Sequence, residues 1–229
     1  MRFFITSLGK PDWVVKRVHA VGGVVYHDVT EAKWAQKGLD CGVDGLIAVN
    51  NRAGGHAGGV TPEELLSFLK GFDVPVVCAG GVSTADDFSK MLGLGYAAVQ
   101  MGTRFIATHE CKVSEEYKQA IVTAKAEDIV LSSRITGVPV SVINTDYVKK
   151  VGTHAGPLAR WMLRGNKTKH FMRMVYALSS LGKLKKDSKQ QGGRQQYLQA
   201  GKSVDGVNDV CSVGELMDSF KQVFSARQS

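Results

Sequence analysis

Arg52-Ala53-Gly54-Gly55-His56-Ala57-Gly58-Gly59 follows directly on the apolar run Leu46-Ile47-Ala48-Val49. A lone histidine between glycine pairs, at the end of a short apolar strand, is a chemical arrangement as well as a structural one. Glycines let the backbone approach a ligand closely and adopt positive φ, and an imidazole exchanges protons near neutral pH. Two further apolar runs end the same way: Val76-Val77-Cys78-Ala79-Gly80-Gly81 and Ala98-Val99-Gln100-Met101-Gly102-Thr103-Arg104. Three successive strand ends of this kind predict an active site at one face of a parallel sheet or barrel.

Working outward, apolar strands alternate with amphipathic helices over the first half of the chain. Residues 3–8 read as a buried strand and residues 24–27 as the next, with helices after each. Thr30 is the expected N-cap of the second helix, and Gly42 suits its stop. Thr61-Pro62-Glu63-Glu64 is a helix start with N-cap, Pro at the first position and a capping box. Ser83 or Thr84 opens another helix, with Asp86 and Asp87 in its first turn as the helix dipole favours. This alternation predicts an α/β fold with parallel strands. Beyond residue 110 the pattern changes. A helix is expected over 114–125, strand-like pieces over 130–142, helices over 157–164 and 169–181, a polar connector over 183–193, and a last helix from about Ser212.

Composition bounds the reading. A chain of 229 residues, 44% hydrophobic and 22% charged, can bury a full core as one domain. No run reaches the length of a membrane span. The four cysteines (Cys41, Cys78, Cys111, Cys211) are scattered with no CxxC pair, so neither a metal site nor a disulfide framework is expected, and a cytoplasmic location is. The net charge of +8 is local: residues 149–194 carry twelve Lys or Arg against Asp187 alone, leaving the rest of the chain net acidic. No nucleic-acid-binding module accompanies the basic stretch, so a nucleic-acid partner is not expected.

The glycine ends suit a phosphate. Gly80-Gly81 and Gly102-Thr103 are consecutive loops of the kind that present backbone N–H groups to a phosphoryl group, and Thr103 adds a hydroxyl. Each pair alone equally suits a tight strand-to-helix turn; together they favour a ligand. His56 is the candidate base or hydrogen-bond donor. His27, at a strand end facing the same way, is a lesser candidate. Arg104 supports the phosphate loop or pairs with a local acid. Cys78 and Met101 read as core.

The same residues resemble a known family. Gly45-Leu46-Ile47-Ala48-Val49-Asn50 with Ala53-Gly54-Gly55-His56, then Pro75 to Gly81, then Val99-Gln100-Met101-Gly102-Thr103-Arg104-Phe105, are similar to nitronate monooxygenases, also called 2-nitropropane dioxygenases. The order and spacing agree over residues 3–125. Tyr197-Leu198-Gln199-Ala200-Gly201-Lys202-Ser203 resembles that family's C-terminal segment, with Lys202 where Gln is usual. The resemblance implies a (β/α)8 TIM-barrel type of fold, FMN as cofactor, and His56 as the active-site histidine. It implies cofactor contacts from Gly54, Gly55, Gly80, Gly81, Gln100, Gly102 and Thr103. The implied reaction is oxidation of an alkyl nitronate with O2 to a carbonyl compound and nitrite.

Two relatives share these motifs, the FMN-dependent enoyl-ACP reductases and the NAD(P)H:quinone reductases; Thr108 to Ser114 looks like the latter, and both imply NAD(P)H as donor. Against the family's barrel the chain is expected to be partial, with about five βα units and the first three absent. Its expected divisions are a flavin-binding region over 1–125, a basic, mostly helical lid or substrate-side segment over 126–195, and a helical return to the barrel over 196–229. A homo-oligomer or a companion chain would complete such a barrel; a non-catalytic fragment that binds a phosphate ligand or a partner is the alternative from another class.

Overall fold

A computed structural model describes residues 2–134, 138–154 and 197–226. Five parallel strands run in sequential order: β1 (Phe3–Thr6), β2 (Val24–Val29), β3 (Gly45–Val49), β4 (Val76–Ala79) and β5 (Ala98–Gln100). The register pairs Thr6 with His27, Val29 with Ala48, Val49 with Ala79 and Ala79 with Gln100. The C-terminal ends therefore form one edge. Helices α1 (Asp12–His19), α2 (Ala32–Leu39), α3 (Pro62–Leu69) and α4 (Ala85–Leu94) follow the first four strands, and the short α5 (Thr103–Ile106) follows β5.

Strand alternation places Val25, Leu46, Ala48, Val76 and Cys78 on one face, where they pack on Val15, Val18, Ala35, Leu65, Leu69 and Met91 of the helices. Ile47, Val77 and Ala79 point to the opposite face with Tyr26 and Val49. A sequential parallel sheet with these helices on a single face is an arc of a (β/α) barrel, because a doubly wound sheet carries helices on both faces.

Local chemistry sets the helix starts. Thr61 and Glu64 cap α3 reciprocally, with Pro62 in the first turn. Thr84 and Asp87 do the same for α4, which ends on left-handed Gly95. A cap of this kind is worth about 1 kcal/mol. The expected cap of α2 differs: the N-cap is Glu31, with no side-chain cap bond, and Thr30 turns to the sheet's C-terminal edge instead. β1 also differs from the buried strand expected. Phe3 and Ile5 are 47% and 50% exposed, because β1 is an edge strand with no partner on its outer side among the described residues.

The chain then continues through α6 (Glu115–Thr123), a 3-10 turn (Ala126–Asp128), an antiparallel hairpin of β6 (Ile129–Ser132) and β7 (Val140–Ile143), and α7 (Asp146–Val151). The helices expected over 157–164 and 169–181 and the connector over 183–193 lie outside the described residues. The chain returns through residues 197–201, a 3-10 turn (Lys202–Gly206) and α8 (Val213–Ala226), which packs Phe220 edge-on against Phe88 of α4 at 5.4 Å.

Candidate active site

A cavity of about 540 Å³ opens at the C-terminal edge of the sheet, and all five strand ends contribute to its wall. Ser7, Leu8 and Gly9 come from β1, and His27, Asp28 and Thr30 from β2. Ala53, Gly54, Gly55 and His56 follow β3, Ala79 and Gly80 close β4, and Gln100, Met101, Gly102 and Thr103 close β5. Gln199 and Ser203 enter from the C-terminal return. Of the residues expected from sequence, His56, Gly54, Gly55, Gly80, Gln100, Gly102 and Thr103 are brought together here; Gly81 is not on the wall.

The glycine loop is held from beneath by Asn50, which is fully buried. Its Nδ2 donates to Gly80 O at 2.9 Å, and its Oδ1 accepts from Arg52 N at 2.8 Å. The Asn50 carbonyl accepts from Ala53 N and Gly58 N. One side chain thus ties the β3 loop to the end of β4. From the side, Gly55 O accepts from Ser141 N of β7 at 2.7 Å. From above, Arg52 O accepts from Lys202 N at 2.9 Å.

The glycines divide by what surrounds them. At Gly80 (φ +109°) an added Cβ would stand 2.5 Å from Ala53 N. At Gly81 (φ +80°) it would meet the Arg52 side chain at 2.9 Å. Backbone packing requires the first; at the second the clash is with a flexible side chain, and the left-handed φ is what favours glycine. At Gly102 an added Cβ meets no atom of the described residues within 4 Å, so packing among them does not require that glycine. It precedes the first turn of α5, whose amides have no partners within the helix. Thr103 is buried, and its hydroxyl oxygen accepts from Gly201 N at 2.9 Å; among the described residues its own proton has no acceptor.

His56 is exposed on the cavity wall, and its ring has no hydrogen-bond partner among the described residues. His27 is buried, with Nδ1 2.8 Å from the Thr6 hydroxyl. Burial pulls its imidazole below the ordinary histidine range, against the raising effects of Asp28 and Thr6. Asp28 was missed by the sequence reading. Its Oδ1 is buried without a hydrogen-bond partner among the described residues. Burial pushes its carboxyl above the ordinary range, with Ser7 and His27 offsetting part of the effect.

Arg104 faces away from the cavity. Its guanidinium is buried and donates to Asp209 Oδ1 at 2.8 Å, Asp209 O at 2.9 Å and Cys211 Sγ at 2.7 Å. It pins the start of α8 rather than supporting the phosphate loop. Cys78 is fully buried, and burial drives its thiol up to about 12, so it is unreactive. Met101, expected in the core, packs partly there but also lines the cavity.

Among the described residues no helix is long and apolar enough to cross a membrane. The architecture is shared with solved structures. FabK from Thermotoga maritima superposes with a TM-score of 0.77 at 24% identity, covering 99% of this chain and 68% of that one. Nitroalkane oxidase from Streptomyces ansochromogenes gives 0.76 at 22%, covering 99% and 66%. Both are likenesses of fold.

In sequence the chain is 34% identical over 151 residues to (3aS,4S,5R,7aS)-5-hydroxy-7a-methyl-1-oxo-octahydro-1H-indene-4-carboxyl-CoA dehydrogenase of Rhodococcus jostii (strain RHA1), which is 66% of this chain and 42% of that protein. It is 32% identical over 125 residues to a probable nitronate monooxygenase of Staphylococcus saprophyticus, 49% of this chain and 35% of that protein. The chain spans about half the length, or less, of the curated relatives it matches. The described family whose model matches is nitronate monooxygenase, over residues 1–222, a span that takes in the glycine loops, the hairpin and the C-terminal return together. On that match the chain belongs to the nitronate monooxygenase family.

Proposed function

We propose that the chain is an FMN-dependent oxidoreductase that oxidises an alkyl nitronate with O2 to a carbonyl compound and nitrite. The observation that carries this reading is the convergence of His56 and the glycine ends of β3, β4 and β5 on one cavity. Its volume lies within the range of roughly 300–1,000 Å³ usual for small-molecule and cofactor sites.

The residues present fit a flavin mononucleotide. The open space before Gly102, the first-turn amides of α5 and the Thr103 hydroxyl proton form a cradle for a phosphate dianion. Gly80 lies at the neighbouring strand end. Val49, Ala79, Met101 and Ile106 supply apolar wall, and Gln100 and Gly55 flank it with polar groups. Bound FMN supplies the electron transfer and the reaction with O2, and the protein positions and tunes. His56, exposed to the cavity with no ring partner among the described residues, hydrogen-bonds the nitronate anion, and takes the proton where the neutral nitroalkane enters. Burial raises the Asp28 carboxyl, which favours its neutral form and so weakens its repulsion of that anion.

A second reading concerns the substrate. The relative that is 34% identical carries a CoA thioester in its name, and the same cavity suits abstraction of a proton beside a thioester carbonyl. Oxygen uptake with purified protein tests the two: nitronate-dependent uptake that collapses on His56→Ala supports the first, and uptake or dye reduction only with an acyl-CoA supports the second. Equal turnover by wild type and His56→Ala would remove His56 from either.

A further inference from the structure

Trp34 stands at the mouth of the cavity and is 41% exposed. Exposure alone is ordinary, since Trp13 is 62% exposed on α1; what sets Trp34 apart is that its open ring surface borders the cavity, where an aromatic ligand can stack on it. Leu8 shares the rim, 83% exposed, with its backbone held at φ +63°. A non-glycine residue in the left-handed region marks a constrained lip rather than a relaxed loop.

The position of Trp34 on α2 sets its neighbours. Lys33 and Lys37 are one helical turn apart, and their ammonium nitrogens lie 5.2 Å and 4.5 Å from the ring centroid. Lys33 is shared with Glu31 at 2.5 Å. Lys37 has no ion pair among the described residues. Exposed cation–π contacts are weak, so the Lys37 ammonium can leave the ring for a stronger acceptor, and Lys33 can do so by exchanging Glu31 for it. An indole face with two mobile cations is the chemistry that recognises an aromatic base joined to phosphates: the base stacks, and the phosphate oxygens take charge-assisted hydrogen bonds.

We propose that Trp34, Lys33 and Lys37 form a landing site for the nucleoside diphosphate end of the second ligand, whose reactive end then reaches into the cavity that His56 lines. This rests on the reading of the cavity as a flavin oxidoreductase site and goes beyond nitronate and O2, neither of which carries a nucleotide: it deepens the acyl-CoA reading and adds a reduced nicotinamide as the other candidate. The shared chemistry belongs to two sources, a CoA thioester substrate and a reduced nicotinamide dinucleotide.

Calorimetric titration of ADP into the full chain, with FMN added to saturation, tests the site without turnover. One ADP binds per chain. Adenosine and pyrophosphate each bind at least roughly 10-fold more weakly, Trp34→Ala weakens ADP roughly 10-fold, Lys37→Gln weakens it several-fold, and Trp34→Phe stays within about 3-fold of wild type. Parallel titrations with coenzyme A and NADH identify the source as the one whose affinity depends on Trp34. ADP that does not bind, or binds wild type and Trp34→Ala alike, overturns the proposal. Flavin absorbance, recorded on the same samples, reports separately on the FMN reading.

Discussion

The amide of Gly201 donates to the Thr103 hydroxyl oxygen at 2.9 Å, joining residues 98 apart in the chain. That bond lays the C-terminal return across the strand ends, between the β3 loop and the start of α5. There is no room for a side chain: a Cβ on Gly201 would stand 2.5 Å from Arg52 O and 2.6 Å from Gly54 N. Gly201→Ala must displace the His56 loop and is expected to cost about 1–3 kcal/mol. Thermal unfolding checks this, and the same variant should lose flavin affinity. Thr103→Val leaves the Gly201 amide without its partner and should cost about 1 kcal/mol.

Asn50→Ala should destabilise more than any other polar substitution at the site, by about 2–3 kcal/mol. It removes the acceptor of Arg52 N and the donor to Gly80 O in a fully buried position. Denaturant midpoints of Asn50→Ala and wild type measure this. A loss below about 0.5 kcal/mol would mean that the loop holds itself.

Acidity should act through Asp28 and His27 in opposite senses. The Asp28 carboxyl is raised in the folded state, so its contribution is full below the unfolded value of about 3.8 and is lost as pH rises through the folded value. Asp28→Asn should therefore raise stability by about 1 kcal/mol near pH 7 and change little below about pH 3. The His27 imidazole is lowered, so the unfolded chain protonates first and stability falls as pH drops below about 6.5. His27→Gln should flatten that acid limb. Melting curves over the two pH ranges separate the effects.

The strand–helix alternation was legible because it is written in local patterns. Thr61, Pro62 and Glu64 announce α3, and the runs ending at Val49 and Ala79 are continuous apolar strands. The convergence of His56 with Gly54, Gly80, Gly102 and Thr103 followed from parallel strands sharing one edge. What escaped the sequence depends on contacts between distant residues. The signal for Asn50 was an amide at a strand end before a glycine loop, but its partners are set by register with β4. Asp28 looked like a strand-end polar residue, and only burial makes it an orphan. Arg104 was ambiguous until Asp209 arrived from 105 residues away. The exposure of Phe3 and Ile5 reflects the edge position of β1 among the described strands, which an apolar strand pattern does not reveal.

Gly102 offers the most direct measurement of the central claim, because a methyl there meets no atom of the described residues within 4 Å and its φ of −121° lies outside the left-handed region that favours glycine. FMN should be titrated into wild type and Gly102→Ala, with melting temperatures recorded alongside. The account predicts one FMN per wild-type chain, at least roughly 10-fold weaker binding by the variant, and unchanged melting without FMN. FMN that fails to bind wild type, or binds both proteins equally, would contradict it.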